Sequence, residues 1–269
     1  MGIRFIFGRA GSGKSYYCLN QIKKKLENDK NNKLILLVPD QYTFQTEKKL
    51  LEHIGERALL RAEVLSFKRM ATRVFDRCGG RAINVIEDSG KNMLIYKLLK
   101  DKGEELQYFN RISKQQGFVG IVSKSITEFK KYNISEEILI EKESQIDNKD
   151  LKEKVNDLAS IYKIFNENLH KGYIDSEDIL SILAKKLKEC ELYNDAEIWV
   201  DEFTTFTPQQ LEVLKVLAKQ CKNINITLCS DGQIQFTEGE TDIFDVIKNT
   251  ENRLLKMMQE NNIAYKEPV

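Results

Sequence analysis

The residues best suited to chemistry form one stretch of eight near the start of the chain, which reads Gly-Arg-Ala-Gly-Ser-Gly-Lys-Ser. Glycines at positions 8 and 13 allow backbone amides to point inward around phosphate oxygens, and the start of the following helix adds further amides. The lysine supplies a charge to the β- and γ-phosphates, and the last serine offers a hydroxyl to magnesium. The pattern therefore predicts a site for ATP with Mg²⁺. Its residues are Gly8, Arg9, Ala10, Gly11, Ser12, Gly13, Lys14 and Ser15.

Two adjacent carboxylates follow a later apolar run. Asp201 and Glu202 come directly after Ile198-Trp199-Val200. In P-loop proteins an acidic residue at such a strand end holds magnesium through water, and a glutamate beside it can polarise an attacking water as a general base. We expect Lys14, Asp201 and Glu202 to be catalytic, with Ser15 and Asp201 at the metal. The glutamate favours hydrolysis over binding alone.

The elements that must position these groups alternate between strand and helix. Continuous apolar runs predict buried parallel strands at 3–7, 34–38, 62–66, 197–201 and 224–229. Helical spacing predicts helices between them, at 14–26, 43–54, 67–78, from 208, and at 243–260. Thr207, Pro208 and Gln210 form a capping-box pattern for one of them. This alternation is typical of an α/β fold with a parallel sheet.

The segment 85–190 has a different character. Helical spacing occurs at 90–101, 117–132, 151–169 and 177–189, and no convincing strand is visible. We therefore predict an α/β P-loop domain formed by 1–84 and 191–269, split by a mostly helical insertion at 85–190.

Composition narrows the function classes. The 269 residues carry a net charge of only +1, which gives no support to a protein that coats duplex DNA but allows a local basic groove. Five cysteines without a C-x-x-C spacing suit reduced thiols in a cytosolic protein rather than a disulfide or zinc framework. No apolar run approaches the roughly 18–20 residues of a membrane span. The sequence thus predicts a cytoplasmic protein that does not contact a membrane.

Several segments resemble superfamily 1 helicases. Residues 8–15 resemble motif I of those enzymes, and Val200–Phe203 followed by Gln209 resembles motif II. Residues 38–47 lie where they carry motif Ia, and 64–71 lie where they carry the next DNA-contacting motif. Gly172-Tyr173-Ile174-Asp175, with the nearby Asp178-Ile179-Leu180, resembles the end of their helical insertion.

Taken together, Pro-Asp-Gln-Tyr-Thr-Phe-Gln-Thr-Glu, Leu-Ser-Phe-Lys-Arg and Phe-Thr-Pro-Gln-Gln are most similar to one family, the B subunit of AddAB-type helicase–nucleases. The resemblance implies a RecA-like fold and processing of double-strand DNA ends for recombinational repair. It further implies an A subunit as partner in a heterodimer, and scanning of one strand for the sequence Chi. A nuclease and a 4Fe-4S cluster are expected only in a C-terminal region outside this sequence. Ser230–Gln233 departs from the family's γ-phosphate-sensing motif.

The resemblance also implies that single-stranded DNA crosses the loops at 39–46, 66–70 and 203–207. The candidate contacts are Gln41, Thr43, Gln45, Phe67, Lys68, Arg69 and Phe206. The polar groups would bind base edges or phosphates, the aromatic rings would stack on bases, and the cations would neutralise phosphates. Most of these candidates also have a structural explanation. Gln41 and Thr43 could cap a helix, Phe67 could pack in the core, and Phe206 could form a hydrophobic staple. The two cations could lie on a solvated helix face.

Two further functions are compatible with the P-loop. The first is a kinase or small-molecule transferase, which would need an arginine-bearing lid over two substrates. The insertion is long for a lid, and its basic residues are nearly all lysine. The second is a non-catalytic scaffold in which ATP only stabilises the fold.

Overall fold

A computed structural model describes residues 2–28, 33–55, 61–79, 84–169, 172–230 and 244–269, without the Gln116 side chain. Its helices are α1 (Lys14–Asn28), α2 (Thr43–Ile54), α3 (Phe67–Cys78), α4 (Asp88–Lys102), α5 (Gln116–Lys131), α6 (Glu136–Glu143), α7 (Lys149–Leu169), α8 (Ile179–Leu187), α9 (Pro208–Gln220) and α10 (Asp245–Glu260). Its strands are β1 (Ile3–Phe7), β2 (Leu34–Leu37), β3 (Ala62–Leu65), β4 (Val85–Ile86), β5 (Ile174–Asp175), β6 (Glu197–Val200), β7 (Asn223–Leu228) and β8 (Tyr265–Lys266). No helix in these ranges is long and apolar enough to cross a membrane.

The chain divides into two compact units. The sheet unit comprises Met1–Gly79 and Leu180–Val269, and the helical unit comprises Gly80–Ile179. The boundary predicted from the sequence lies later, at 190. Helix α8 clusters with the sheet unit instead, and its Leu183 and Leu187 are buried.

The sheet unit contains six parallel strands in the order β3-β2-β6-β7-β1-β8. This confirms the predicted α/β class with a parallel sheet. All four residues of β2 and of β6 are buried, as expected for strands covered on both faces. Because parallel strands end at a common edge, the loops after β1 and β6 lie on either side of the end of β7. The sheet thereby brings two segments that are distant in sequence to one place.

Local signals position the helices around the sheet. Thr207 accepts a hydrogen bond from the Gln210 backbone amide while the Gln210 side chain accepts from the Thr207 amide, which confirms the predicted capping box. Ser66 similarly caps α3 by accepting from the Arg69 amide. The apolar side of α1, through Cys18 and Ile22, packs in a core cluster with residues of β1, β2 and β6.

The helical unit has its own core, formed by α4, α5 and α7 with residues such as Ile95, Val122 and Phe165. Strands β4 and β5 pair in parallel within this unit, so the expectation of no strand there was wrong. Two-residue strands are too short to produce a periodic pattern. Asp175, at the end of β5, is fully buried, and its carboxylate lies 2.9 Å from the Lys91 ammonium.

The expectation that all thiols are reduced was also wrong. Cys78 and Cys190 form a disulfide, with their Cα atoms 6.0 Å apart. The two are separated by 112 residues, so their spacing carried no signal; folding brings the end of α3 to the residue before the 3₁₀ turn Glu191–Tyr193. The remaining thiols, Cys18, Cys221 and Cys229, are free.

Candidate functional site

The loop between β1 and α1 has the backbone that its glycines predict. Gly11 and Gly13 have φ values of 78° and 90°, in the left-handed region that favours glycine. A side chain at Gly8 would collide with Ser12 Oγ. Because α1 begins at Lys14, the amides of its first turn have no acceptor within the helix and can bind an anion.

Lys14 folds back over this loop. Its ammonium donates to the Gly8 carbonyl at 2.7 Å and to the Arg9 carbonyl at 3.0 Å. A lysine ammonium has three donors, and phosphate oxygens form stronger, charge-assisted hydrogen bonds than neutral carbonyls do. A triphosphate in the loop can therefore compete for this group.

The carboxylates after β6 face the same loop. The Thr227 hydroxyl donates to Asp201 Oδ1 at 2.6 Å, and the Asp201 amide donates to the Leu37 carbonyl. Asp201 is buried, and its position is thus held by the strand on each side of β6. Its second carboxylate oxygen makes none of these bonds and can accept from water.

Glu202, the next residue, contacts the start of α1. The Ser15 hydroxyl donates to Glu202 Oε1 at 3.3 Å, across 187 residues of sequence. Glu202 has φ of 65°, a left-handed conformation that costs a non-glycine residue about 1–3 kcal/mol and that clusters at functional sites. The turn therefore directs this side chain toward α1 at the expense of backbone strain.

These groups line one cavity of about 460 Å³. Its lining comprises Ala10, Gly11, Gly13, Lys14, Ser15, Tyr16, Asp201, Glu202, Phe203, Thr204, Thr227 and Cys229. Five lining residues are not among the site residues predicted from the sequence: Tyr16, Phe203, Thr204, Thr227 and Cys229. Thr227 had a usable signal, since it is a polar residue within the apolar run of β7 and lies next in register after the Val200–Ile226 pair.

The donor set fits magnesium bound through phosphates. Among the described residues, no group of three or more His, Cys, Asp or Glu side chains could hold a metal by itself. Magnesium usually takes one or two protein oxygens and completes its shell with phosphates and water. Ser15 and Asp201 supply such oxygens at this cavity.

The Cys18 thiol, in α1, is not expected to act as a nucleophile or a metal ligand at this site. Burial and the adjacent Asp201 carboxylate raise the pKa of Cys18 well above its usual range, although Lys14 opposes this shift. The thiol therefore stays protonated and behaves as an apolar core group of α1.

Four of the seven DNA-contact candidates are exposed: Gln41, Gln45, Lys68 and Arg69. Gln41 lies in a 3₁₀ turn and Gln45 in the first turn of α2, while the two cations lie in the first turn of α3. Arg69 pairs with Glu47 at 2.5 Å. An exposed pair of this kind contributes little stability, so a phosphate can replace the carboxylate.

The other three candidates are buried. The Thr43 hydroxyl donates to the Asp40 carbonyl. Thr43 is the first residue of α2, and no side chain caps that helix or the 3₁₀ turn before it, so the capping alternative was wrong for Thr43. Phe67 is 5% exposed and Phe206 is 2% exposed. Both pack against Phe203, with ring centroids 5.7 Å and 5.0 Å away, so they are core aromatics rather than surfaces for a base.

Two aromatic side chains in the segment that resembles motif Ia are exposed, and Tyr42 is the less exposed of them at 37%. Phe44 is 77% exposed in the first turn of α2, between the exposed Gln41 and Gln45. Its exposure makes it the better candidate for contact with an unpaired base.

Comparison with known proteins identifies the family of this chain. A family model described as "ADDB, N-terminal" matches residues 5–269. The chain is 52% identical over 265 residues, 98% of its length, to the B subunit of an ATP-dependent helicase/deoxyribonuclease from Clostridium perfringens strain 13, and 48% identical over its full length to the protein of that name in Clostridium botulinum strain Loch Maree. It spans only 23% and 24% of those relatives. The chain belongs to the AddB N-terminal family.

Proposed function

We propose that this chain binds ATP with Mg²⁺ in the cavity at Gly8–Ser15 and hydrolyses it, as the N-terminal part of one subunit of an ATP-dependent helicase/deoxyribonuclease. The observation that carries this proposal is the hydrogen bond from Ser15 to Glu202, which joins the phosphate loop to the candidate base at 3.3 Å. The names of the relatives support the same activity.

The geometry supports an order of events at the site. With a triphosphate bound, the Lys14 ammonium would donate to phosphate oxygens instead of the Gly8 and Arg9 carbonyls. The backbone amides at the start of α1 would donate to the phosphates as well. Magnesium, when bound, would neutralise charge on the phosphates, held by Ser15 and, through water, by Asp201. With Ser15 engaged in holding the metal, the Glu202 carboxylate would be free of its hydrogen bond to Ser15 and could accept a proton from the attacking water.

Nucleotide binding and turnover can be tested separately. Lys14→Ala should abolish binding of a fluorescent ATP analogue, whereas Lys23→Ala, at an exposed position of the same helix, should leave it unchanged. Glu202→Gln should keep binding and lose phosphate release. Retained ATP affinity in Lys14→Ala would refute the assignment of the phosphate loop.

We further propose that single-stranded DNA contacts the exposed residues at the ends of β2 and β3. Gln41, Gln45, Lys68 and Arg69 would bind bases or phosphates, and Phe44 would stack on a base. Anisotropy of labelled single-stranded DNA, with duplex as competitor, tests this. A preference for duplex would contradict the proposal.

The remaining parts of the proposal concern the whole protein. Processing of double-strand ends for recombinational repair, a heterodimer with an A subunit, and Chi recognition are supported by family membership alone. Pull-down of an A subunit by this chain tests the partner. Transfer of phosphate to a small acceptor would favour the kinase alternative. Absence of turnover, with DNA binding intact in Lys14→Ala, would favour the scaffold.

A further inference from the structure

A second polar pocket lies at the opposite edge of the sheet from the phosphate loop. It has a volume of about 180 Å³ and is lined on the sheet side by the aromatic Trp199 and by the polar residues Arg4, Glu197, Asn223, Asn225 and Lys266. These residues occupy the first two or three positions of their strands, so the pocket opens at the amino ends of the strands. Asn225 and Lys266 are the register partners of Arg4 on its two sides, which places all three on one face of the sheet.

Helix α1 covers this row with polar side chains. Tyr17, Gln21 and Lys25 line the pocket at intervals of four residues, one turn above another. The neighbouring stripe of the same helix, including Cys18 and Ile22, is buried in the apolar core. A helix that packs on a sheet normally presents an apolar stripe to it, so a polar stripe over a polar row requires a separate explanation.

The pocket carries more positive than negative charge. Lys25 pairs with the buried Glu197 at 2.9 Å, which neutralises both. Lys266 donates to the Asn223 amide oxygen and has no carboxylate partner among the described residues. Arg4 likewise has no ion pair within that part of the chain, and its buried Nε finds no hydrogen-bond acceptor there. Two cations are therefore left without an anion in a partly desolvated site, which is unfavourable unless a ligand supplies one.

We propose that this pocket binds an anion of the size and charge of a single phosphate group, either free or as a phosphate monoester. Arg4 and Lys266 would be its charged ligands, with the Asn225 and Gln21 amides as neutral donors. A guanidinium fork matches phosphate oxygens, and a phosphate's charge of about −1.5 to −2 balances the two cations. The volume is too small for a whole nucleotide, since pockets for larger ligands measure about 300–1,000 Å³.

The test must first remove phosphate binding at Gly8–Ser15, so that only the second pocket is measured. In the Lys14→Ala background, inorganic phosphate is titrated by calorimetry at constant ionic strength, with chloride as the balancing anion. We expect binding of one phosphate per chain, weakened at least tenfold by Arg4→Gln and by Lys266→Gln. Lys24→Gln, at an exposed position of α1, is the matched control and should bind normally.

The outcomes separate the possible sources of the anion. A phenyl phosphate titration shows whether a monoester enters, and an acetate titration reports on carboxylates. Absence of phosphate binding in the Lys14→Ala protein, or unchanged binding in both charge variants, would overturn the proposal. Acetate that binds more tightly than phosphate would overturn it too, because the pocket would then suit a carboxylate side chain. Should Arg4→Gln unfold, as circular dichroism would show, the Lys266→Gln result decides.

Discussion

The two phenylalanines Phe44 and Phe67 provide a direct test of the proposal that an exposed aromatic ring, rather than a buried one, stacks on single-stranded DNA. Phe67 is almost fully buried and packs on Phe203, so Phe67→Ala should cost about 3–5 kcal/mol in the free energy of unfolding. Phe44 is 77% exposed, so Phe44→Ala should change that free energy by less than about 0.5 kcal/mol. Loss of one base–aromatic stack is worth about 1–3 kcal/mol, or roughly 5- to 150-fold in the Kd for single-stranded DNA.

Both quantities can be measured on the same proteins. The single tryptophan, Trp199, is buried in β6 and reports urea unfolding of the sheet unit by fluorescence. Anisotropy of labelled single-stranded DNA gives the Kd, with Tyr96→Ala, another exposed aromatic position, as the matched control. If Phe67→Ala kept its stability and lost DNA affinity while Phe44→Ala kept both, the assignment from burial would be wrong.

Three further predictions concern the interior. Thr227→Val should weaken Mg²⁺-dependent ATP binding several-fold without unfolding the chain, because it removes the hydrogen bond to Asp201; an unchanged magnesium titration would argue against the role of that carboxylate. Asp175→Asn should destabilise the helical unit by about 3–5 kcal/mol, because it leaves the buried Lys91 ammonium without a carboxylate, while Lys130 keeps its pair with Asp178; urea denaturation followed by circular dichroism would show this. Alkylation of unfolded, unreduced chain followed by mass spectrometry should label three cysteines, and five labels would refute the disulfide of Cys78.

The ion pairs of Asp175 predict how the stability of the protein changes with pH. Burial alone would raise the pKa of Asp175, but Lys130 and Lys91 outweigh it and hold the pKa below the usual carboxyl value. Its contribution to stability is therefore complete above the unfolded-state pKa and is lost as the pH falls through the lower folded-state pKa. Wild type should lose stability across that acidic window more steeply than Asp175→Asn does; parallel curves would contradict this account.

The sequence by itself determined the features whose physics is local. A phosphate loop needs glycines, a lysine and a serine at adjacent positions, so Gly8–Ser15 was recognisable before any fold was known. The parallel strands were visible as continuous apolar runs, and the capping box at Thr207 depends on residues three apart. The sequence also predicted that Asp201 lies near this loop, because the carboxyl ends of parallel strands lie at the same edge of a sheet.

Only the tertiary structure decided which side chains face solvent, and which distant residues meet. Phe44 and Phe67 have the same chemistry and similar local contexts; packing against Phe203 buries one and leaves the other exposed. Strand register places Thr227 beside Asp201, and chain crossing places Cys78 beside Cys190. Burial and long-range contact depend on every element that packs around a residue, whereas caps, turns and phosphate loops depend on a few consecutive residues. For that reason the candidate nucleotide site could be predicted from the sequence, and the surface proposed to contact DNA could not.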